Sequence, residues 1–135
     1  MGNYRVLVVD DEADNVFVMK EVASRDGYEV FTASNGQEGL DVFIDKSPQI
    51  VITDYRMPKM NGLELIERVK KIKRETVVIF TSGVLNRNLV ERAEMLGVFE
   101  CFEKPIQIRD LKATIEKAVR EVELNDERDH YYDSC

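Results

Sequence analysis

The chain has 135 residues, of which 44% are hydrophobic and 33% are charged, and its formal net charge is -7. That length suits one domain with a full core, and the composition excludes a disordered or fibrous protein. The excess of acidic residues disfavours a general nucleic-acid-binding surface, and no apolar stretch is long enough to span a bilayer. The two cysteines do not have the spacing of a metal site or of a disulfide framework. We therefore expect a cytoplasmic protein.

Five short apolar runs predict strands, and five segments with helical periodicity alternate with them. The predicted strands are, in chain order, Tyr4–Val9, Tyr28–Ala33, Gln49–Thr53, Val77–Phe80 and Phe99–Glu103. The predicted helices are a first one capped by Asp14 and stopped by Gly27, then Gln37–Lys46, Leu63–Lys73, Arg87–Leu96 and Ile108–Glu123. This alternation predicts a doubly wound parallel α/β sheet in a three-layer sandwich. Residues 124–135 lose the apolar period and form either a frayed extension of the last helix or the start of a linker.

Apolar spacing also indicates which face each helix turns towards the sheet. On the second helix, Leu40, Phe43 and Ile44 share one face. On the third helix, the apolar set is Leu63, Leu65, Ile66, Val69 and Ile72. We expect both sets to be buried against the sheet.

Acidic residues follow two of the predicted strands. Asp10, Asp11 and Glu12 come directly after the first strand, and Asp54 follows the third. Because parallel strands end at one edge of their sheet, these acids are expected to meet there. Adjacent acids at the end of a buried strand repel one another, and a hard cation such as Mg²⁺ removes that conflict. The alternatives are a solvated turn that caps a helix and, for Asp54, a loop aspartate that hydrogen-bonds locally.

A hydroxyl pair follows the fourth predicted strand, and a lysine follows the fifth. Thr81 and Ser82 can donate to a phosphate oxygen or simply start a turn, and Lys104, held by Pro105, is a positioned charge for an anion or a surface lysine before a turn. A carboxylate such as Asp54 can attack phosphorus to give an acyl phosphate. All these groups occupy the same topological position in different strand–helix units, which favours a shared phosphate and metal site.

These motifs resemble the receiver domain of response regulators in two-component signalling. The resemblance covers residues 4–123 and rests on Asp10-Asp11, Asp54, Met57-Pro58 with Gly62, Thr81, and Lys104-Pro105. It implies a flavodoxin-like fold with strand order 2-1-3-4-5. It also implies that residues 1–123 form the receiver and that 124–135 are a polar acidic tail or the start of a linker.

The resemblance further implies a role for each site residue. Asp54 would be the phosphoacceptor, and Mg²⁺ (or Mn²⁺) would be held by Asp11, Asp54 and the backbone carbonyl of Arg56, with Asp10 acting largely through a metal-bound water. Thr81 would grip the phosphoryl group, and Lys104 would pair with one of its oxygens. The Lys104-Pro105 bond is expected to be cis.

A switch of the surface around the fourth helix and fifth strand is also implied by the resemblance, with Thr81, Cys101 and Pro105 in the switch region. Cys101 stands where receivers usually carry an aromatic residue, and Arg56 and Gly83 lie at positions that line the route of the attacking water.

The phosphoryl donor would be a sensor histidine kinase or a phosphotransfer protein. The recipient of the signal would be a downstream protein or an output domain outside this chain, with no direct contact to nucleic acid or membrane. The receiver would be a monomer or a phosphorylation-dependent dimer, and it would catalyse only its own phosphorylation and dephosphorylation.

Two alternatives remain open. A pseudo-receiver or scaffold would keep the fold and signal without phosphate, and Cys101 leaves room for it. A Mg²⁺-dependent phosphohydrolase with an aspartyl nucleophile is disfavoured, since no cap insertion encloses a substrate. Nucleotide or flavin binding lacks support, because the loop after the first strand contains no glycine.

Overall fold

The structure, a computed structural model, describes residues 4–133 and contains five strands and five helices in strict alternation. In chain order they are β1 Arg5–Val9, α1 Ala13–Arg25, β2 Glu29–Ala33, α2 Gly36–Lys46, β3 Ile50–Asp54, α3 Gly62–Ile72, β4 Val77–Ser82, α4 Arg87–Met95, β5 Glu100–Glu103 and α5 Ile108–Asp133. The strands form one parallel sheet in the order β2-β1-β3-β4-β5. The predicted fold class and strand order are confirmed.

Helices cover both faces of this sheet. One buried cluster packs α2, α3 and α4 against residues such as Leu7, Val51 and Phe80. The other cluster packs α1 and α5 against alternate residues of the same strands, including Val8 and Ile52. Since side chains alternate along a strand, β1, β3 and β4 are buried on both faces, and this explains their unbroken apolar runs.

Two predicted core positions are wrong. Ile44 is 59% exposed and Ile72 is 55% exposed. The buried face of α2 runs through Gly36, Gly39, Leu40 and Phe43, so two glycines continue it and Ile44 lies to one side. Ile72 is the last residue of α3, and the buried positions of that helix end at Val69.

Element boundaries differ from the predicted ones by two or more residues at three places. Glu12, not Asp14, precedes the first residue of α1, and its side chain makes no capping bond. The chain turns earlier because the Glu12 backbone N–H donates to Asp10 Oδ1 at 2.9 Å. β4 extends two residues further, to Ser82. α5 continues through residues 124–133, where the apolar period is lost.

Asparagines start three of the helices next to the carboxyl-end edge of the sheet. Asn35, Asn61 and Asn86 each accept a hydrogen bond from the backbone N–H three residues on, at 2.8, 3.0 and 2.9 Å respectively. A side-chain oxygen at this position satisfies one of the free N–H groups at a helix start. These caps therefore fix where α2, α3 and α4 begin.

The loop between β3 and α3 packs tightly against its neighbours. A Cβ at Gly62 would collide with the backbone carbonyl of Asp54, and a Cβ at Gly36 would collide with Met60. The Gly62 N–H also donates to the Tyr55 carbonyl at 2.8 Å. Glycine at these positions lets the loop close over the end of β3.

None of the described helices is long and apolar enough to cross a membrane.

We expect Gly36→Ala to lower the free energy of unfolding by roughly 2 kcal/mol, because the new methyl group must displace Met60 from a packed loop. Urea denaturation would measure the change. Gly83→Ala is the matched control, since a Cβ there has nothing within 4 Å, and its unfolding free energy should stay within about 1 kcal/mol of the parent. Equal effects of the two substitutions would contradict this account of the loop.

Candidate functional site

Four carboxylates meet at the carboxyl-end edge of the sheet. Asp10 follows β1 and Asp54 ends β3, and both are buried, with 1% and 6% of their surface exposed. Asp11 and Glu12 lie beside them and are exposed. One oxygen from each of these four acids lies within 4.8 Å of the others. The structure thus brings together the acids that the sequence placed at this edge.

Lys104 contacts three of these acids. Its Nζ lies 2.9 Å from Asp10 Oδ2, 3.0 Å from Asp54 Oδ2 and 3.4 Å from Glu12 Oε1. The lysine side chain is only 15% exposed, and Glu12 is the most open partner. β5 delivers Lys104 to the same edge, and its N–H donates to the Ser82 carbonyl at 2.8 Å. The Lys104–Pro105 bond is cis.

Burial and charge oppose each other in this cluster. Burial raises the pKa of Asp54 and outweighs the lowering by Lys104, while the nearby Asp10 raises it further and the Tyr55 N–H, 2.8 Å from Asp54 Oδ1, lowers it. Burial alone would lower the pKa of Lys104, but the carboxylates of Asp10 and Asp54 outweigh it and raise that pKa. One ammonium therefore faces more negative charge than it can neutralise.

A hard divalent cation fits the remaining charge. Asp10 Oδ2 is buried, and the Lys104 ammonium, 2.9 Å away, is the one polar group close to it within the described residues. Buried carboxylate oxygens without a full set of partners are unfavourable, and carboxylates are the ligands that Mg²⁺ prefers. The donor set of Asp10, Asp11 and Asp54 thus suits this ion.

Comparison with known proteins identifies the family. A model of the response regulator receiver domain matches residues 6–116. The chain belongs to the receiver domain family. It is 30% identical over 117 residues to sporulation initiation phosphotransferase F of Bacillus subtilis, covering 87% of this chain and 94% of that protein. It is 35% identical over 104 residues to the chemotaxis protein CheY of Thermotoga maritima, covering 76% and 87%.

Solved receiver structures show the same fold. A CheY-like receiver domain protein from Methanospirillum hungatei superposes with a TM-score of 0.88 at 27% identity, covering 92% of this chain and 99% of that one. A receiver domain from Clostridium thermocellum superposes with a TM-score of 0.83 at 35% identity, covering 90% and 98%. The predicted family is confirmed. Receiver domains are signalling proteins of two-component systems, and generally not enzymes.

Thr81 lies next to Asp54 in the receiver sheet, but its hydroxyl is bonded to the backbone of β3. The two residues are paired between β3 and β4, and Thr81 is fully buried. Its Oγ1 donates to the Thr53 carbonyl at 3.4 Å. Ser82, the other candidate hydroxyl, donates to the Val84 carbonyl at 2.8 Å and so forms a turn. A role for Thr81 at Asp54 requires its side chain to turn towards the carboxylates.

The mouth of the receiver site is an open cavity of about 360 Å³ beside Asp54 and Lys104. Arg56 and Gly83, the two positions singled out in the sequence, both line it. Val84, which is 66% exposed, lines it too. A long cation and a residue without a side chain thus face the same opening, and this leaves space in front of Asp54.

Cys101 lies in β5, opposite Phe80 of β4, and packs on the core cluster beneath α4. It is half-buried, and burial, followed by the nearby Glu94 and Glu100, raises the pKa of its thiol. Sequence reasoning missed two contacts, one between Glu12 and Lys104 and one between Glu103 and the backbone of Leu85. Both depend on side-chain directions that no motif encodes.

Removing the Asp54 charge should stabilise the metal-free receiver. An acid whose pKa is raised in the folded state binds its proton more tightly there, so stability falls as the pH rises from the ordinary carboxyl range through that raised pKa. In urea denaturation with EDTA, Asp54→Asn should therefore exceed the parent at pH 7.5 and approach it on acidification. Asp41→Asn, at an exposed position of α2, is the control and should show no such dependence. A less stable Asp54→Asn at pH 7.5 would contradict the argument.

Proposed function

We propose that this receiver is a phosphorylation-dependent switch in a two-component phosphorelay. In the cytoplasm, Asp54 of this receiver accepts a phosphoryl group from a sensor histidine kinase or a phosphotransfer protein. The observation that carries the proposal is the Lys104 ammonium between the buried carboxylates of Asp10 and Asp54, in front of an open cavity. This arrangement supports phosphoryl transfer because a fixed cation stands beside the oxygen that would carry the group.

The transfer uses the two Asp54 oxygens differently. Oδ1 accepts the Tyr55 N–H and is held in place, while Oδ2 lies near Lys104. A carboxylate oxygen of Asp54 forms the new bond to phosphorus as the bond between phosphorus and the donor's leaving atom breaks, which gives an acyl phosphate. Lys104 then pairs with one phosphoryl oxygen. The Thr81 hydroxyl leaves the Thr53 carbonyl and donates to a second phosphoryl oxygen.

Mg²⁺ (or Mn²⁺) belongs to this proposal. Asp10, Asp11, Asp54 and the backbone carbonyl of Arg56 would hold it, with Asp10 acting largely through a bound water. When bound, the ion supplies positive charge that offsets repulsion between Asp54 and the incoming group. The buried Asp10 Oδ2, which has only the Lys104 ammonium close to it among the described residues, and the four clustered acids support this assignment.

The response would appear on the surface around α4 and β5. A phosphoryl group adds nearly two negative charges and three acceptor oxygens. Thr81 and Lys104 are on the segments that lead into α4 and out of β5, so their movement would shift this surface. We propose that a downstream protein, or an output domain outside this chain, binds it, and that the receiver is a monomer or a phosphorylation-dependent dimer.

Intact-protein mass after incubation with acetyl phosphate and Mg²⁺ tests the proposal. The parent should gain one phosphoryl group, because Asp54 offers a carboxylate nucleophile beside a fixed cation. Asp54→Asn should gain none, and EDTA should prevent the gain in the parent. Labelling of Asp54→Asn would overturn the assignment of Asp54. No gain in the folded parent, even with a kinase, would favour a scaffold that signals without phosphate, and turnover of a phosphate ester would favour a phosphohydrolase.

Mg²⁺ should stabilise the parent, by about 2.7 kcal/mol at a hundredfold excess over its Kd, because it binds the folded acid cluster only. We expect Asp11→Asn to lose most of this gain in urea denaturation, since one ligand of the cluster is removed. Asp14→Asn is the control, because Asp14 is exposed in the first turn of α1 outside the cluster. Equal stabilisation of Asp11→Asn and the parent would show that the ligands are misassigned.

A further inference from the structure

The loop between β4 and α4, residues 83–86, links the Thr81 segment to α4. It is held by side chains at both of its ends. At the β4 end, Ser82 Oγ donates to the Val84 carbonyl at 2.8 Å and accepts from the Val84 N–H at 3.3 Å. At the α4 end, Glu103 Oε2 accepts a hydrogen bond from the Leu85 N–H at 2.8 Å. The bond from Leu85 to Glu103 connects the loop to β5. Within the described residues, it is the only side-chain hydrogen bond between this loop and a strand other than β4.

Glu103 is well placed to fix this loop. It is the last residue of β5, is paired with Ser82 of β4, and directly precedes Lys104. Its carboxylate forms no salt bridge with a lysine or arginine within residues 4–128, so the Leu85 N–H is its hydrogen-bond partner in that range. A backbone N–H bound to a carboxylate makes a stronger hydrogen bond than one between neutral groups.

Leu85 connects this contact to α4. It packs against the core cluster beneath α4, and it immediately precedes Asn86, the residue that caps the helix. Holding the Leu85 N–H therefore fixes the point at which the chain enters α4. On the other side of the loop, Gly83 and Val84 line the cavity in front of Asp54. One carboxylate thus positions both the cavity wall and the start of a helix.

In the present position of the loop, the Thr81 hydroxyl is bonded to the backbone of β3. Thr81 Oγ1 donates to Thr53, and the loop begins two residues later. A turn of this hydroxyl towards a group on Asp54 that also carried the end of β4 with it would pull on the anchored loop. A bond that is present before that movement and strained by it favours the state in which the hydroxyl faces β3.

We propose that Glu103 is a positioning residue that holds the β4–α4 loop in its resting arrangement and so opposes capture of a phosphoryl group at Asp54. This inference rests on the proposed function, because it needs a ligand on Asp54. Removing the Glu103 carboxylate should shift the population towards the arrangement that accepts the ligand. Binding of that ligand should therefore become tighter.

Beryllofluoride with Mg²⁺ is the probe, and its Kd is measured by calorimetry for the parent and three variants. We expect Glu103→Ala to bind roughly two- to fivefold more tightly, the scale for a charged hydrogen bond that is exposed to solvent. Glu103→Gln should lie between Glu103→Ala and the parent, since its amide oxygen still accepts from Leu85. Glu100→Gln removes the same charge from the same strand and should match the parent.

Amide hydrogen exchange of Leu85 without beryllofluoride tests the bond itself. Exchange should be faster in Glu103→Ala, and Glu103→Gln should restore part of the protection. Unchanged exchange in Glu103→Ala would overturn the inference whatever the binding result. A parent that binds the probe with the same Kd as Glu103→Ala would overturn the inference and leave the proposed function standing. A parent that neither binds the probe nor takes a phosphoryl group would overturn both.

Discussion

The ammonium of Lys104 reaches two buried carboxylates at once, and the arrangement of the site depends on that contact. Asp10 and Asp54 lie at the ends of adjacent central strands, so the sheet holds their like charges together. Without a cation between them, two buried charges would be left uncompensated, which is strongly unfavourable. Lys104 offsets part of this repulsion, and Asp11 and Glu12 add more negative charge outside it. The excess is what makes the edge suitable for a metal ion and a phosphoryl group.

Much of this edge could be predicted from the sequence, because it follows from topology. Apolar runs that alternate with helical segments require parallel strands, and parallel strands end together. Asp10, Asp54 and Lys104 therefore had to lie near one another, whatever the details of packing. The strand order came from the resemblance of the motifs to a family, since periodicity alone does not order the strands. The glycine at position 62 also follows from this edge, because the chain there passes too close to the Asp54 carbonyl for a Cβ.

The sequence could not supply side-chain directions or the ends of packed faces. Ile44 looked buried because an apolar pattern ignores glycine, whereas Gly36 and Gly39 form part of the face that α2 packs on. Thr81 lies beside Asp54 as its position after the fourth strand indicated, yet its hydroxyl donates to the β3 backbone. The local hydrogen-bond partners determine which rotamer the side chain adopts, and the sequence does not give them. The Glu103 contact spans 18 residues and involves a backbone N–H, so it leaves no motif.

Stability is distributed unevenly around the site, and this bears on how it could switch. The acids sit on β1 and β3, which are buried on both faces and leave little freedom of movement. α4 is held by fewer buried side chains, Leu89 and Ala93, while Met95 at its end is 89% exposed. Segments with few buried contacts open or shift at low free energy. A change at the rigid acids would therefore be expressed in the lightly held α4 and in the loop before it. Glu103 can bias that movement, because in the described residues only its carboxylate and the bonds of Ser82 and Asn86 hold the loop through side chains.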